Sequence, residues 1–196
     1  MYQCENREDG QSMTEQELLQ KEMMELLAKL GFTPSKKPSG ERTLKRIEKE
    51  YELVLPPLYR FFLLNYKQSA SDQEIAYPCN EPPPWSGDGK TLTLDWFLLA
   101  EAEDDNLEET LDNYYDRLPS ALIPISADMA GNLICIGVSD KAMGKIYFWD
   151  HENELEAKLM LEEEVGEISV DDYWDNLYVI ADSFIAFIRS MFIVEE

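Results

Sequence analysis

The hydrophobic period of this chain changes twice. Near the start, Leu18, Leu19, Met23, Leu26, Leu27 and Leu30 recur at helical spacing. Further on come three short β-rich runs, Leu122–Ser126, Asn132–Val138 and Lys145–Asp150, separated by turn chemistry at Asp128–Gly131 and Ser139–Gly144. Helical spacing then returns with Phe184, Ile185, Phe187, Ile188, Met191 and Phe192. A helix buries one stripe and a sheet buries a face, so helices at both ends and strands in the middle must pack on each other. The expectation is an α+β class, a single domain with a short antiparallel β meander flanked by N-terminal and C-terminal helices.

Local signals refine that outline. Thr14-Glu15-Gln16-Glu17 fits a capping box, in which the Thr14 hydroxyl and the Glu17 carboxylate satisfy free backbone amides at a helix start. Gly31 stands where a left-handed residue would end that helix. Pro34 to Gly40, with Lys36 and Lys37, is the one plausible internal linker. It divides the chain into an N-terminal helix and linker (1–40) and an α+β domain (41–196), expected to pack as one globular unit. A second helix carries Leu44, Ile47 and Tyr51. Proline is tolerated in a first helical turn, so a third helix starts at Leu55-Pro56-Pro57 and ends near Asn65. Residues 68–91 read as irregular, with a possible strand at Glu74–Pro78; Pro82-Pro83-Pro84 and Gly87-Asp88-Gly89 oppose regular structure. Thr91–Ala100 fits strand and helix equally. Asn106–Leu118 is a short helix with Leu107, Leu111, Tyr114 and Leu118 on one face, and the last helix runs from Tyr178 to Phe192.

Size and charge narrow the function. A chain of 196 residues buries about 70% of its unfolded surface and needs no disulfide or metal staple. The net charge is −23, and it is unevenly spread: residues 1–67 hold 11 basic and 11 acidic side chains, residues 68–196 hold 6 and 29. A phosphate-backbone binder needs a basic stripe, so direct nucleic-acid binding is excluded as a general function. Anionic membrane surfaces would repel the chain. Leu177–Val194 has membrane length but carries Asp182 and Arg189, each costly in hydrocarbon. Cys4, Cys79 and Cys135 form no CxxC pair and no secretory signal opens the chain, which predicts free thiols and a cytoplasmic location.

Motifs for chemistry fail on inspection. Gly89-Lys90-Thr91 imitates the end of a phosphate loop, but the glycine required five positions earlier is Pro84, which has no N–H to offer. Asp150-His151-Glu152 holds the only histidine; one His and scattered Cys do not make a zinc or catalytic metal site. No nucleophile elbow and no HExxH exists. Glu101–Asn106 lacks the glycine and the alternating oxygens of a calcium loop. The reading is therefore no enzyme, no catalytic residue, no metal and no cofactor.

Two acid runs remain. Glu101, Glu103, Asp104, Asp105, Glu108, Glu109, Asp112 and Asp116 contain no base between them. Glu152 to Asp175, including Glu162, Glu163 and Glu164, contains only Lys158 as a base. A solvated face normally mixes both signs, so runs of one sign point to a basic partner. The partner-binding candidates are Glu101, Glu103, Asp104, Asp105, Glu108, Glu109, Asp112, Glu162, Glu163 and Glu164. Trp149, Asp150, His151 and Glu152 read as a structural motif, with Tyr147 and Trp149 on one face of a strand, Phe148 on the other, and His151 closing the strand end.

Two stretches carry a resemblance. One is Leu55-Pro56-Pro57-Leu58-Tyr59-Arg60-Phe61-Phe62-Leu63-Leu64-Asn65. The other is Ile123-Pro124-Ile125-Ser126, Gly131-Asn132-Leu133-Ile134-Cys135-Ile136 and Gly144-Lys145-Ile146-Tyr147-Phe148-Trp149-Asp150-His151-Glu152. Together, over roughly residues 40–192, they resemble the SUKH superfamily, which includes the Smi/Knr-type cell-wall assembly regulators of yeast. The resemblance implies one α+β domain without catalysis. It further implies an immunity protein that binds and neutralises a cognate polymorphic or contact-dependent toxin domain, often a nuclease. The chain departs from the family after Asn65: where members usually show Asn-Gly-Gly, Tyr66-Lys67-Gln68 follows, so the turn there is expected to differ. Nuclease clefts are basic because they bind phosphates, and carboxylates can stand in for those phosphates. Two readings follow: a cytoplasmic immunity protein, monomeric or weakly dimeric, against a basic toxin, or a Smi/Knr-type regulatory scaffold that docks other proteins.

Overall fold

A computed structural model of the chain describes residues 13–79, 91–104, 106–139, 141–160 and 168–195. The first helix, α1 (Glu15–Lys29), begins at the capping box read from the sequence: the Thr14 hydroxyl accepts the Glu17 amide and Glu17 accepts the Thr14 amide at 2.7 Å. Gly31, at φ +88°, turns the chain out of the helix. Helix α2 (Glu41–Glu50) follows Gly40, and α3 (Pro57–Asn65) has its proline in the first turn. The backbone of Tyr66 is extended, and its ring is fully buried against Phe62 with centroids 5.1 Å apart. An aromatic side chain thus directs the chain into the core at the point where the sequence departs from the family pattern.

Strands β1 (Ile75–Pro78), β2 (Thr91–Leu94) and β3 (Trp96–Phe97) precede α4 (Leu107–Tyr114). Thr91–Ala100 is therefore extended, not helical, and α4 is shorter than its apolar stripe: Leu118 is buried beyond the helix end. The meander follows as β4 (Leu122–Ala127), β5 (Leu133–Gly137) and β6 (Ile146–Trp149), then a short helix α5 (Leu155–Met160). All pairings are antiparallel, and the order in the larger sheet is β3-β4-β5-β6-β7, where β7 is Leu177–Ala181. Pro124 sits inside a central strand, where a proline removes a ladder donor. The register shifts between Pro124 and Ser126, so a bulge absorbs the missing donor.

The end of the chain differs from the expectation of one helix over Tyr178–Phe192. Residues 177–181 form β7 on the edge of the sheet, Ser183 caps a shorter helix α6 (Phe184–Ser190), and β8 (Phe192–Ile193) pairs with β1. The physical reason is in the side chains. Tyr178, Val179 and Ile180 suit a pleated surface better than a helix, and the Ser183 hydroxyl accepts the Ala186 amide, starting the helix six residues late. Of the smaller sheet, in the order β2-β1-β8, the sequence offered β1 and left β2 open between strand and helix, while β8 was not expected.

Both faces of the larger sheet are covered, which is why its strands read as continuous apolar runs. On one face Ile134, Ile136, Ile146 and Phe148 join the main core with α1, α3, α6 and an aromatic group of Phe32, Phe62, Phe97 and Phe184. On the other, Leu133, Cys135, Tyr147 and Trp149 form a smaller cluster with Leu118 and Leu122. Tyr147 and Trp149 thus share one face and Phe148 lies on the other. Cys79 and Cys135 are buried, and burial pushes the Cys135 thiol up. Among the described residues, no helix is long and apolar enough to cross a membrane.

Candidate functional site

The first acid run is divided by its neighbours. Glu101 accepts the Thr43 hydroxyl, Arg46 pairs with both oxygens of Glu108, and the Tyr51 hydroxyl donates to Asp112. All three partners belong to α2 or its end, so three of the run's eight acids are tied to the helix beside it. Burial and the Asp112 carboxylate push the Tyr51 phenol up, so it stays protonated and keeps donating. Glu103, Asp104, Glu109 and Asp116 are exposed, while Asp105 lies outside the described residues.

The second run is less completely described. Glu162, Glu163 and Glu164 lie outside the described residues, as do the proline and glycine clusters of 82–89 and most of the phosphate-loop imitation. Glu154 is buried and holds Arg117, which donates to both carboxylate oxygens at 2.8 Å. The Arg117 guanidinium also lies 4.4 Å from the Tyr114 ring centroid and 5.5 Å from that of Trp149. Asp171 accepts the Ser120 amide at 2.7 Å, which holds its carboxyl below the ordinary range. Asp172 accepts the Ser169 hydroxyl, and Glu152 and Asp175 are exposed.

Trp149, Asp150, His151 and Glu152 form a strand end and the start of a 3-10 turn. Asp150, fully buried, accepts the Glu152 amide and the Asn153 side chain, and its backbone exchanges hydrogen bonds with Asn176. The His151 amide donates to Asn132, whose side chain donates to Asp128 in the β4–β5 turn. The His151 ring lies over Gly131, where an added Cβ would meet it at 3.2 Å. Its Nδ1 is 3.0 Å from Glu154 and 3.2 Å from Arg117. Among the described residues, no group of three or more His, Cys, Asp or Glu could hold a metal ion.

The two acid runs meet at a cleft of about 320 Å³. Tyr51 and Leu53 approach it from the end of α2, Tyr114, Tyr115 and Asp116 from the end of α4, and Ser169, Val170 and Asp171 from the far segment. Leu111, Leu118, Leu122 and Ile123 supply buried apolar lining. The Ser120–Asp171 hydrogen bond ties its two sides across 51 residues of sequence. The three tyrosines were not among the sequence candidates. The tandem Tyr114-Tyr115 inside an acid run was the available signal, since one helical face can bury only the first.

A family model described as the SMI1 / KNR4 family (SUKH-1) matches residues 38–190. The chain is 34% identical over 119 residues to an SPbeta prophage-derived uncharacterized protein, YokK, of Bacillus subtilis (strain 168). The match covers 56% of this chain and 60% of that relative's length.

Proposed function

This chain belongs to the SMI1 / KNR4 family (SUKH-1), and from that premise we propose that it is a non-enzymatic immunity protein that binds and neutralises a basic toxin domain, a nuclease by preference. The observation that carries the reading is the shared cleft, lined by Asp116 from the first acid run and by Asp171 from the second. Tyrosine is enriched where proteins recognise each other, because it offers a large rigid face and a polar tip. Exposed Glu103, Asp104 and Glu109 extend negative charge beyond the cleft and would speed encounter with a basic surface. His151 is committed to Glu154, Arg117 and the backbone turn below it, which supports a structural role for it and no catalytic one.

The test is association with the C-terminal domain of any large secreted protein found encoded beside this chain. The complex should form, protect cells that express the toxin, and associate more slowly as salt rises, because exposed charges are screened within about 8 Å at physiological ionic strength. Reversing Glu103, Asp104 and Glu109 to Lys should slow association further, and leaves the Arg46–Glu108 pair intact. Failure of any such domain to bind would replace this reading with that of a regulatory scaffold.

A further inference from the structure

We propose that the tyrosine-lined cleft receives a single arginine side chain from the basic partner. This rests on the reading of the chain as a binder of a basic protein, and it adds the side chain and the place. The space, about 320 Å³, lies at the small end of ligand sites, which run from about 300 to 1,000 Å³. It suits one long side chain rather than the face of a helix. Among the described residues that line it, Asp116 and Asp171 are acidic and none is basic.

The wall chemistry favours a guanidinium. A planar cation stacks on a tyrosine ring while its N–H groups reach a carboxylate, and it is more weakly hydrated than an ammonium. Tyr115 lines the cleft and is 71% exposed, so its ring is accessible to a ligand. Asp171 is held ionised by the Ser120 amide, and Tyr51 and Asp112 are fixed by their mutual hydrogen bond, so the walls are set before a ligand arrives. The protein already applies this recognition internally, where Arg117 stacks on Tyr114 and pairs with Glu154. Beside that pair the cleft adds Tyr51 and Tyr115 with Asp116 and Asp171, the same combination of ring and carboxylate.

The experiment needs no toxin. The full chain, labelled with ¹⁵N, is titrated with acetyl-Gly-Arg-Gly-amide and, separately, with versions carrying citrulline, lysine or leucine in place of the arginine. Arginine should give saturable shifts at the amides of residues 114–118, 120 and 169–171. Citrulline, which has the shape without the charge, should bind at least about fivefold more weakly, since the charge-assisted bonds are lost. Tyr115→Ala and Asp116→Asn should each weaken arginine binding by about two- to fivefold, the scale of an exposed cation–π contact, with the dispersed spectrum of the folded protein retained. Equal binding of citrulline, equal binding of lysine with shifts spread to Glu103, Asp104 and Glu109, stronger binding of leucine, or no saturable shift would each overturn the proposal. The outcomes separate from those above. A toxin that binds Tyr115→Ala as well as the natural chain removes this inference and leaves the immunity reading. An arginine site on a chain that binds no toxin does the reverse.

Discussion

The two faces of the five-stranded sheet are built for different ends. The face bearing Ile134, Ile136, Ile146 and Phe148 is sealed by α1, α3 and α6, and its aromatic rings touch each other edge to face. The opposite face, bearing Leu133, Cys135, Tyr147 and Trp149, is covered by loops, the end of α4 and Trp174. Helices cover a sheet with continuous apolar stripes; loops cover it piecemeal and leave polar groups to be satisfied one at a time. The sealed face therefore holds most of the stability. The loop-covered side carries the Arg117–Glu154 pair, the His151 network and the edge of the cleft. Surface residues on that side can change without disturbing the main core.

This contrast can be broken by substitution, and the largest effect is expected on the sealed side. Phe62→Ala removes a ring that contacts Tyr59, Tyr66, Phe97 and Phe184 and should cost about 3–5 kcal/mol, read as a loss of chemical-denaturation midpoint. A loss below 1 kcal/mol would mean that the aromatic group is not where the fold is held. On the loop-covered side, Glu154→Gln should cost about 1.5–3 kcal/mol, because Arg117 keeps its position but loses a charged acceptor that is itself buried. His151→Ala should cost about 1 kcal/mol and abolish no reaction, since its ring only bridges groups that have other partners. A melt unchanged from the natural chain would remove the ring from any structural account.

The smallest effect concerns pH. The folded carboxyl of Asp171 titrates below its unfolded value, so its contribution is present above the unfolded pKa, about 3.9, and is lost as pH falls through the folded one. The melting temperature of Asp171→Asn should lie slightly below that of the natural chain at neutral pH, and the gap should close on acidification below about pH 4. A gap that widens with acid would reverse the assignment of Asp171 as the acceptor of the Ser120 amide.

What could be read beforehand follows the range of the interactions. Helix α1 was legible because its cap, stripe and terminal Gly31 lie within one stretch, and the meander because two-residue alternation and turn residues lie between neighbouring strands. Strand β7 was hidden because Leu177–Ala181 runs straight into the apolar residues of α6, and the break at Asp182-Ser183 is only two polar residues long. The three-stranded sheet was hidden for a stronger reason. Its strand β8 has two residues, and only pairing with Ile75 and Ala76 makes it a strand. The cleft joins residues near 51, 115 and 170, which no local window holds together. The acid runs were visible, but not that Glu108 and Asp112 are already held by Arg46 and Tyr51.

The first and last helices meet. Arg189 grips both oxygens of Glu22 at 2.7 Å, α6 packs against α1, and β8 completes the sheet that begins at Ile75. During synthesis the first helix must therefore wait for its partner. At about 5–20 residues per second, the interval between making Glu22 and Arg189 is on the order of ten seconds or more. Through that interval the apolar stripe of α1, with Met23 and Leu27, has α3 to pack against but not α6. A chain cut short before residue 184 would leave the ribosome with its main core open, to be bound by a chaperone or cleared by a protease. Synthesis past α6, rather than any local folding event, would then set when a newly made molecule can close its main core.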